Sequence, residues 1–226
     1  MVLAAKVFTV GAGLSLPDIA HRLKGYGLIE REELLGRELE VGSRISELEI
    51  VEDTLRGTFE ENFIISTTYK DEVFKAPLTV RTYFEFHLRG DIIYLVVAAK
   101  KARANRIANQ LSSLLSAERG VIQEARISPD TLRRFFEERM ETVKVVFFDD
   151  VRLPNVDKLS LYGSQLANTG LYQEYLKLGK VWYVVFEPED GLVIGLTRNC
   201  VVTFFSKLSL EDALKFIRER ILPLVE

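Results

Sequence analysis

Four cations stand at or near the start of a segment that is predicted to form a helix, from Lys100 to Leu115. They are Lys100, Lys101, Arg103 and Arg106. Because a helix N-terminus carries partial positive charge, each badly placed cation costs on the order of 0.3–1 kcal/mol. A bound anion, such as the phosphate of a nucleic acid, would offset that cost. We therefore take the four cations as candidate nucleic-acid contacts.

A neighbouring strand adds three more candidate contacts. One face of this strand is apolar and predicted to be buried: Val80, Thr82, Phe84, Phe86 and Leu88. The other face carries polar and charged residues: Arg81, Tyr83, Glu85, His87 and Arg89. Since cations contact phosphates and aromatic rings stack on bases, Arg81, Tyr83 and Arg89 are added to the interface. Any antiparallel strand with one solvated face shows the same pattern, so a structural explanation stays open.

The distribution of charge offers another explanation of the basic helix. Residues 30–61 contain eleven acids and four arginines, whereas residues 75–106 contain seven cations and two acids. Either the two segments face each other in the fold, or the basic segment binds an anionic partner. The net charge of −3 argues against a cationic coat over the whole surface.

Two adjacent acids, Asp149 and Asp150, end the predicted strand that begins at Lys144. Carboxylates at a strand end can hold Mg²⁺. Adjacent strand residues point to opposite faces, so a shared metal would need a bend in the chain. A metal-dependent, nuclease-like enzyme is therefore a further alternative, although neither residue is assigned as a metal ligand.

The glycine turn GAGLS, from Gly11 to Ser15, lies between a predicted strand and a predicted helix. It resembles the GAG-x-S turn of sirtuin-like NAD-binding domains, and that resemblance implies a phosphate cradle. It covers five residues, and the chain continues with short antiparallel elements instead of βαβ units. Helix capping by Ser15 and Asp18 accounts for the turn without a ligand. No cofactor is predicted.

Histidine and cysteine offer little chemistry in this chain. His21 and His87 are the only histidines, and neither has metal-ligand spacing to Cys200 or to a pair of acids. No catalytic residue and no metal ligand is predicted. Cys200, the single cysteine, is predicted to be a buried structural thiol, and a chain without an intrachain disulfide fits a reducing cytoplasm. No apolar run approaches the roughly 20 residues that span a bilayer, so no membrane partner is expected.

The elements that must position these residues are predicted to occur twice. KVFTVGAGLSLPDI at Lys6 is similar to KVVFFDDVRLPNVD at Lys144. Later in each half, a strand precedes a hairpin that leads into a helix. Gly90-Asp91 and Arg198-Asn199 supply the hairpin turns. The pattern indicates an internal repeat, and two similar sheet-helix halves resemble the plan of the TATA-binding-protein saddle.

Between the halves, SPDTLRRFFEERMETV predicts a connecting helix with Ser128 as N-cap. We therefore predict an α+β protein of two similar halves. Each half is a small, mainly antiparallel sheet that ends in β-β-β-α. The predicted divisions are residues 1–120, a connecting segment at 121–141, and residues 142–226.

These patterns favour a non-catalytic binding protein that associates with nucleic acid through the basic helix. The alternative is a scaffold that forms a homo-oligomer or binds a protein partner. Its interface would use exposed sheet edges and aromatic residues, namely Phe147, Phe148, Trp182 and Tyr183. The same aromatic residues could instead belong to the core, and the sequence leaves that choice open.

Overall fold

The computed structural model describes residues 2–34, 36–116 and 120–226, and these residues form twelve β-strands and five α-helices. The strands are β1 (Leu3–Val10), β2 (Gly27–Leu34), β3 (Arg37–Val51), β4 (Thr54–Tyr69), β5 (Glu72–Arg89), β6 (Ile92–Val97), β7 (Ile122–Glu124), β8 (Val145–Asp149), β9 (Leu159–Tyr162), β10 (Lys180–Glu189), β11 (Leu192–Thr197) and β12 (Val201–Phe204). The helices are α1 (Leu16–Leu23), α2 (Lys101–Leu115), α3 (Pro129–Glu137), α4 (Gly170–Leu178) and α5 (Leu210–Phe216). Among these helices, none is both long and apolar enough to cross a bilayer.

The chain divides into two compact units that alternate along the sequence. Unit 1 contains Met1–Phe8, Ala99–Ala104 and Glu124–Glu226, and unit 2 contains Thr9–Ala98 and Asn105–Gln123. The first turn of α2 therefore belongs to unit 1 and the rest of that helix to unit 2. Each unit has its own set of antiparallel strands.

Unit 1 contains the strand order β1-β12-β11-β10-β8-β9. One face of these strands is buried, because alternate residues such as Phe148, Phe186 and Phe204 are apolar. Aromatic side chains from the helices cover that face: Phe136 of α3 packs edge-on against Phe186, and Phe216 of α5 packs against Phe204. The helices are therefore held on one face of the sheet.

Unit 2 contains the strand order β2-β3-β4-β5-β6, joined by successive hairpins. Strands β4 and β5 pair along sixteen residue positions, from Thr54–His87 to Tyr69–Glu72. Their inner halves supply the core residues Leu55, Phe59 and Phe84, all fully buried. Their outer halves extend beyond the positions at which β3 and β6 pair with them.

The sequence predicted part of this architecture. The mixed composition of helices and antiparallel strands is confirmed, and Ser128 caps α3 as expected. The expectation of small sheets is wrong. Strands β4 and β5 are 16 and 18 residues long, and they belong to a sheet of many hydrogen-bonded strands. The internal repeat is not confirmed and stays a prediction, as do the predicted domain boundaries.

Candidate nucleic-acid interface

Two of the predicted cations already have acidic partners inside unit 2. Arg106 lies 2.8 Å from the carboxylate of Glu61, and the Nε atom of Arg81 donates a 2.8 Å hydrogen bond to Glu60. Both acids belong to the acidic segment 30–61, so that segment does contact part of the basic one. These two arginines have a structural role that requires no ligand.

The remaining predicted contacts are dispersed. Lys100 and Lys101 are exposed at the start of α2, and Arg89 is exposed at the end of β5. Arg103 and Tyr83 are half-buried, and each makes an interaction within the protein.

The predicted solvated face of β5 is partly wrong. Glu85, which the alternation pattern placed in solvent, is only 1% exposed. Its direct partners on the two neighbouring strands, Arg56 of β4 and Val96 of β6, share its face. Glu85 also makes an interaction within the protein, as a buried carboxylate requires.

A cavity of about 380 Å³ in unit 1 contains one of the predicted residues, Lys101. We call it the Asp149 cavity, and its lining residues are Lys101, Asp149, Trp182, Thr197, Arg198, Asn199 and Val201. Lys101 and Arg198 bring two cations to one site from positions 97 residues apart in the chain. Together with the amide of Asn199 and the hydroxyl of Thr197, they supply hydrogen-bond donors for an anion to a cavity whose accessible lining is otherwise mostly apolar.

Arg198 is fixed by its backbone. Its N–H donates a 3.0 Å hydrogen bond to the carbonyl of Trp182, and its own carbonyl accepts a 2.8 Å bond from the N–H of Ile127. The turn closes through a 3.0 Å bond from the N–H of Cys200 to the carbonyl of Thr197. The guanidinium is therefore carried by a rigid hairpin turn, at the position where the sequence predicted one.

Asp149 is only half paired. One oxygen, Oδ2, accepts a hydrogen bond from Arg198, whereas Oδ1 is buried and has no hydrogen-bond partner among the described residues. Burial raises the pKa of this carboxyl, and the charge of Arg198 opposes that rise. The indole Nε1 of Trp182, in the same cavity, is a buried donor that also has no partner in the described part of the chain. Buried polar atoms without partners are unusual and fit a site that binds a ligand.

Aromatic rings continue from the cavity across the sheet face of unit 1 that is opposite its helices. We call this surface the aromatic face; its residues are Phe147, Tyr162, Trp182 and Tyr183. The ring of Phe147 packs 5.7 Å from Tyr162, 5.6 Å from Trp182 and 5.4 Å from Tyr183. Tyr162 is exposed and the other three are half-buried. Tyr183 lies across Gly195, where a Cβ atom would come within 2.5 Å of its hydroxyl. The rings thus form a contiguous cluster in which Phe147 packs edge-to-face against its neighbours, and Tyr162 is the exposed member.

Lys158 adds a third cation to this region. Its ammonium group lies 5.3 Å from the centre of the Trp182 ring, a cation–π distance, and its charge acts on Asp149. The neighbouring acid Asp150 pairs instead with Lys180 at 3.3 Å. Asp149 and Asp150 therefore contact different cations.

Two predictions, one about the aromatic residues and one about Cys200, can be compared with these positions. Phe148 belongs to the core, whereas Phe147, Trp182 and Tyr183 belong to the opposite face. Cys200 is fully buried, as predicted, and burial raises the pKa of its thiol to about 12. Within the described residues, no group of three His, Cys, Asp or Glu side chains is placed to hold a metal ion.

The sequence analysis missed Arg198 and Lys158 as members of the site and named Trp182 only for a protein interface. Arg198 was visible as a turn residue, but a turn does not indicate that the arginine pairs with Asp149, 49 residues away. No protein-family model matches the chain, and comparison with curated proteins finds no significant similarity.

Proposed function

We propose that this protein is a non-catalytic binding protein whose ligand is single-stranded nucleic acid. In this proposal, bases stack on the aromatic face and phosphates contact Lys101, Lys158 and Arg198. The observation that carries it is the position of the aromatic rings directly beside a cavity that contains Lys101, Arg198 and the unpartnered indole N–H of Trp182.

The chemistry of single strands fits this surface. Every base has a flat π-face, so stacking on aromatic side chains is tolerant of sequence and contributes about 1–3 kcal/mol per base. In a duplex the same π-faces are hidden between neighbouring base pairs. Tyr162 is exposed on the aromatic face, so its ring is accessible to a base that is not stacked in a duplex.

The predicted basic helix keeps a smaller role in this proposal. Lys100 and Lys101 are retained as phosphate contacts, because they are exposed and Lys101 lines the Asp149 cavity. Arg106 and Arg81 are left out, since they are already paired with Glu61 and Glu60. Arg103, Tyr83 and Arg89 gain no support from the geometry of unit 1.

The test of the phosphate contacts is a salt series of fluorescence anisotropy with labelled single-stranded DNA and RNA. For single strands, the log–log slope of affinity against salt changes by about 0.7 per phosphate contact. Replacing Lys100 and Lys101 together by serine should therefore make the slope shallower by about 1.4. Arg106→Ser is the matched control, because it removes a cation of the same helix that is paired with Glu61. Its slope should equal that of the wild type.

The test of stacking compares two exposed aromatic residues of unit 1. Tyr162→Ala should weaken binding by about tenfold, the equivalent of ~1.4 kcal/mol and within the range for one stacked base. Phe205→Ala, which removes an exposed ring outside the aromatic face, should leave affinity unchanged. Trp182 is the only tryptophan, so quenching of its fluorescence reports ligand at the cavity itself.

Failure to bind either nucleic acid at low salt would overturn the proposal. If inorganic phosphate quenches Trp182 and oligonucleotides do not, the cavity is a site for a small anion and the nucleic-acid function is wrong.

A further inference from the structure

The outer half of the hairpin formed by β4 and β5 is a two-stranded ribbon, and we call residues 63–80 the arm. The pairing of β3 with β4 ends at Gly42–Asn62, and the pairing of β6 with β5 begins at Val97–Phe84. Between these limits, the two strands of the arm pair with each other, from Phe63–Leu78 to Tyr69–Glu72. A lone two-stranded ribbon is marginally stable in water, so the arm is a structure that gains from an added strand.

The arm has one apolar face. Direct partners in an antiparallel pair share a face, which places Phe63 with Leu78 and Thr67 with Phe74. The apolar side chains of this face are Phe63, Ile65, Tyr69, Phe74, Ala76 and Leu78. Four of them, Ile65, Tyr69, Phe74 and Leu78, are between 38% and 62% exposed. A row of large, exposed apolar side chains on one face of a ribbon is typical of an interaction surface.

The two edges of the arm differ in charge. The β5 edge carries Glu72, Lys75 and Pro77, residues that block the addition of a strand. The β4 edge, Phe63–Tyr69, reads FIISTTY and contains no charge, no proline and no glycine. Natural sheets rarely leave such an edge unprotected, because it is a template for pairing with another chain. The β4 edge is therefore the side of the arm that is open to a partner strand.

The charges around the β4 edge favour a second copy of the same chain as that partner. A neutral edge facing itself brings no like charges together, whereas the β2 edge, with Glu30, Arg31, Glu32 and Glu33, would oppose its own acids. In an antiparallel arrangement, the tip of one arm, with Asp71 and Glu72 beside Lys70, approaches the base of the other. At that base, Arg44, Arg81 and Arg106 outnumber their partners Glu60 and Glu61. The ends of the paired edges are thus complementary in charge.

We propose that two copies of this protein associate by antiparallel pairing of their β4 edges, about a two-fold axis perpendicular to the ribbon. Such an axis keeps both apolar faces on the same side, because directly opposite residues share a face and the rotation does not exchange faces. The two ribbons then form one four-stranded sheet with a continuous apolar face. Phe63, Ile65 and Tyr69 of each copy lie along the junction.

The size of this junction sets the strength of the dimer. Of the three apolar side chains per copy, Phe63 is half-buried, Ile65 is 38% exposed and Tyr69 is 62% exposed. Together they supply on the order of 200 Å². A standard interface buries about 800 Å² per partner. The dimer is therefore weak, and its population depends on protein concentration.

Sedimentation velocity of the full chain, without nucleic acid and from about 1 to 100 µM, tests the association. The wild type should shift from monomer to dimer over this range. Thr67→Lys places a charge from each copy near the two-fold axis and should weaken association at least tenfold. Val73→Lys is the matched control: Val73 is exposed on the opposite face and on the other strand, so dimerisation should be unchanged.

Hydrogen exchange of the wild-type chain supplies a second measurement that needs no variant. Amides of residues 63–69 should gain protection at the higher concentration, and those of residues 72–80 should not. A chain that stays monomeric, forms open polymers, or dimerises equally well with Thr67→Lys would overturn the proposal. In the first case the β4 edge would belong to a different partner.

Discussion

Glu60 in unit 2 and Asp149 in unit 1 are both acids placed beside arginines, yet their surroundings differ. Glu60 is buried, and both of its oxygens are paired, one with Arg81 at 2.8 Å and the other with Arg44 at 2.5 Å. Asp149 has one paired oxygen and one buried oxygen without a partner in the described residues. A fully satisfied buried network stabilises and rigidifies the fold, whereas a partly satisfied one stabilises it less.

The two carboxyl groups differ accordingly in their protonation. The hydrogen bond from Arg81, with a further contribution from Arg44, lowers the pKa of Glu60. Burial dominates at Asp149 and raises its pKa in spite of Arg198. The same pair of residue types, an acid with arginine, therefore has a structural role in one unit and a candidate binding role in the other.

The largest expected effect is the loss of the Glu60 network. Glu60→Gln removes a buried charge that two arginines contact, and it should lower the free energy of unfolding by about 2–3 kcal/mol. Urea denaturation measures this change. Glu40→Gln, at an exposed acid 3.9 Å from Arg44, should change stability by less than about 0.5 kcal/mol. If the two variants lowered the free energy of unfolding equally, the buried Glu60 network would be no more stabilising than the exposed Glu40–Arg44 pair.

Asp149→Asn should instead increase ligand affinity. The ionised carboxylate competes with a phosphate for Arg198, so neutralising it should strengthen oligonucleotide binding about tenfold, or ~1.4 kcal/mol. Titrations of Trp182 fluorescence at fixed salt measure the change. A weaker ligand complex would mean that Asp149 holds Arg198 in its binding position and does not compete for it.

The pH dependence of stability should have opposite signs at the two sites. Because the pKa of Glu60 is lowered on folding, its contribution is present above the ordinary carboxyl pKa of 4.5 and is lost as pH falls through the folded value. Because the pKa of Asp149 is raised, its protonated form favours folding, and that contribution is lost as pH rises from 3.8 through the folded value.

Denaturation of both variants between about pH 3 and pH 7 checks these signs. The stability gap between wild type and Glu60→Gln should narrow as pH falls. As pH falls over the same range, the wild type should gain stability relative to Asp149→Asn. If stability changed with pH in the same direction at both sites, the proposed difference between Glu60 and Asp149 would be wrong.

The smallest expected effect concerns Arg106, the paired cation of α2. Arg106→Ser should lower the free energy of unfolding by about 0.5 kcal/mol, since more than half of the arginine side chain is exposed and solvent screens its pair with Glu61. Thermal denaturation at low and high salt measures it, and the difference should shrink with added salt. A loss above about 2 kcal/mol would place this pair in the same class as Glu60.

Local signals in the sequence predicted many of the elements. Ser15, Ser128 and Ser209 cap helices because a hydroxyl before an apolar repeat accepts hydrogen bonds from the free N–H groups of the first turn. Arg198-Asn199 forms the predicted hairpin turn. The composition also predicted a mixture of helices and antiparallel strands.

Strand length was harder to predict, because polar and apolar residues alternate in the same way in a strand of a packed sheet and in a ribbon that extends into solvent. The sequence of β4 therefore indicated a strand without its extent. Glu85 shows the converse, since the alternation of polar and apolar residues in β5 placed it in solvent, whereas it is only 1% exposed in the fold.

The sequence by itself determined the local elements, the supply of charge and the neutrality of the β4 edge. Only the tertiary structure decided which charges meet. Arg106 and Lys101 lie five residues apart in one helix, yet one is neutralised by Glu61 and the other lines a cavity with Arg198. The physical reason is that Coulomb energy depends on distance and burial, and both are set by contacts between residues far apart in the chain.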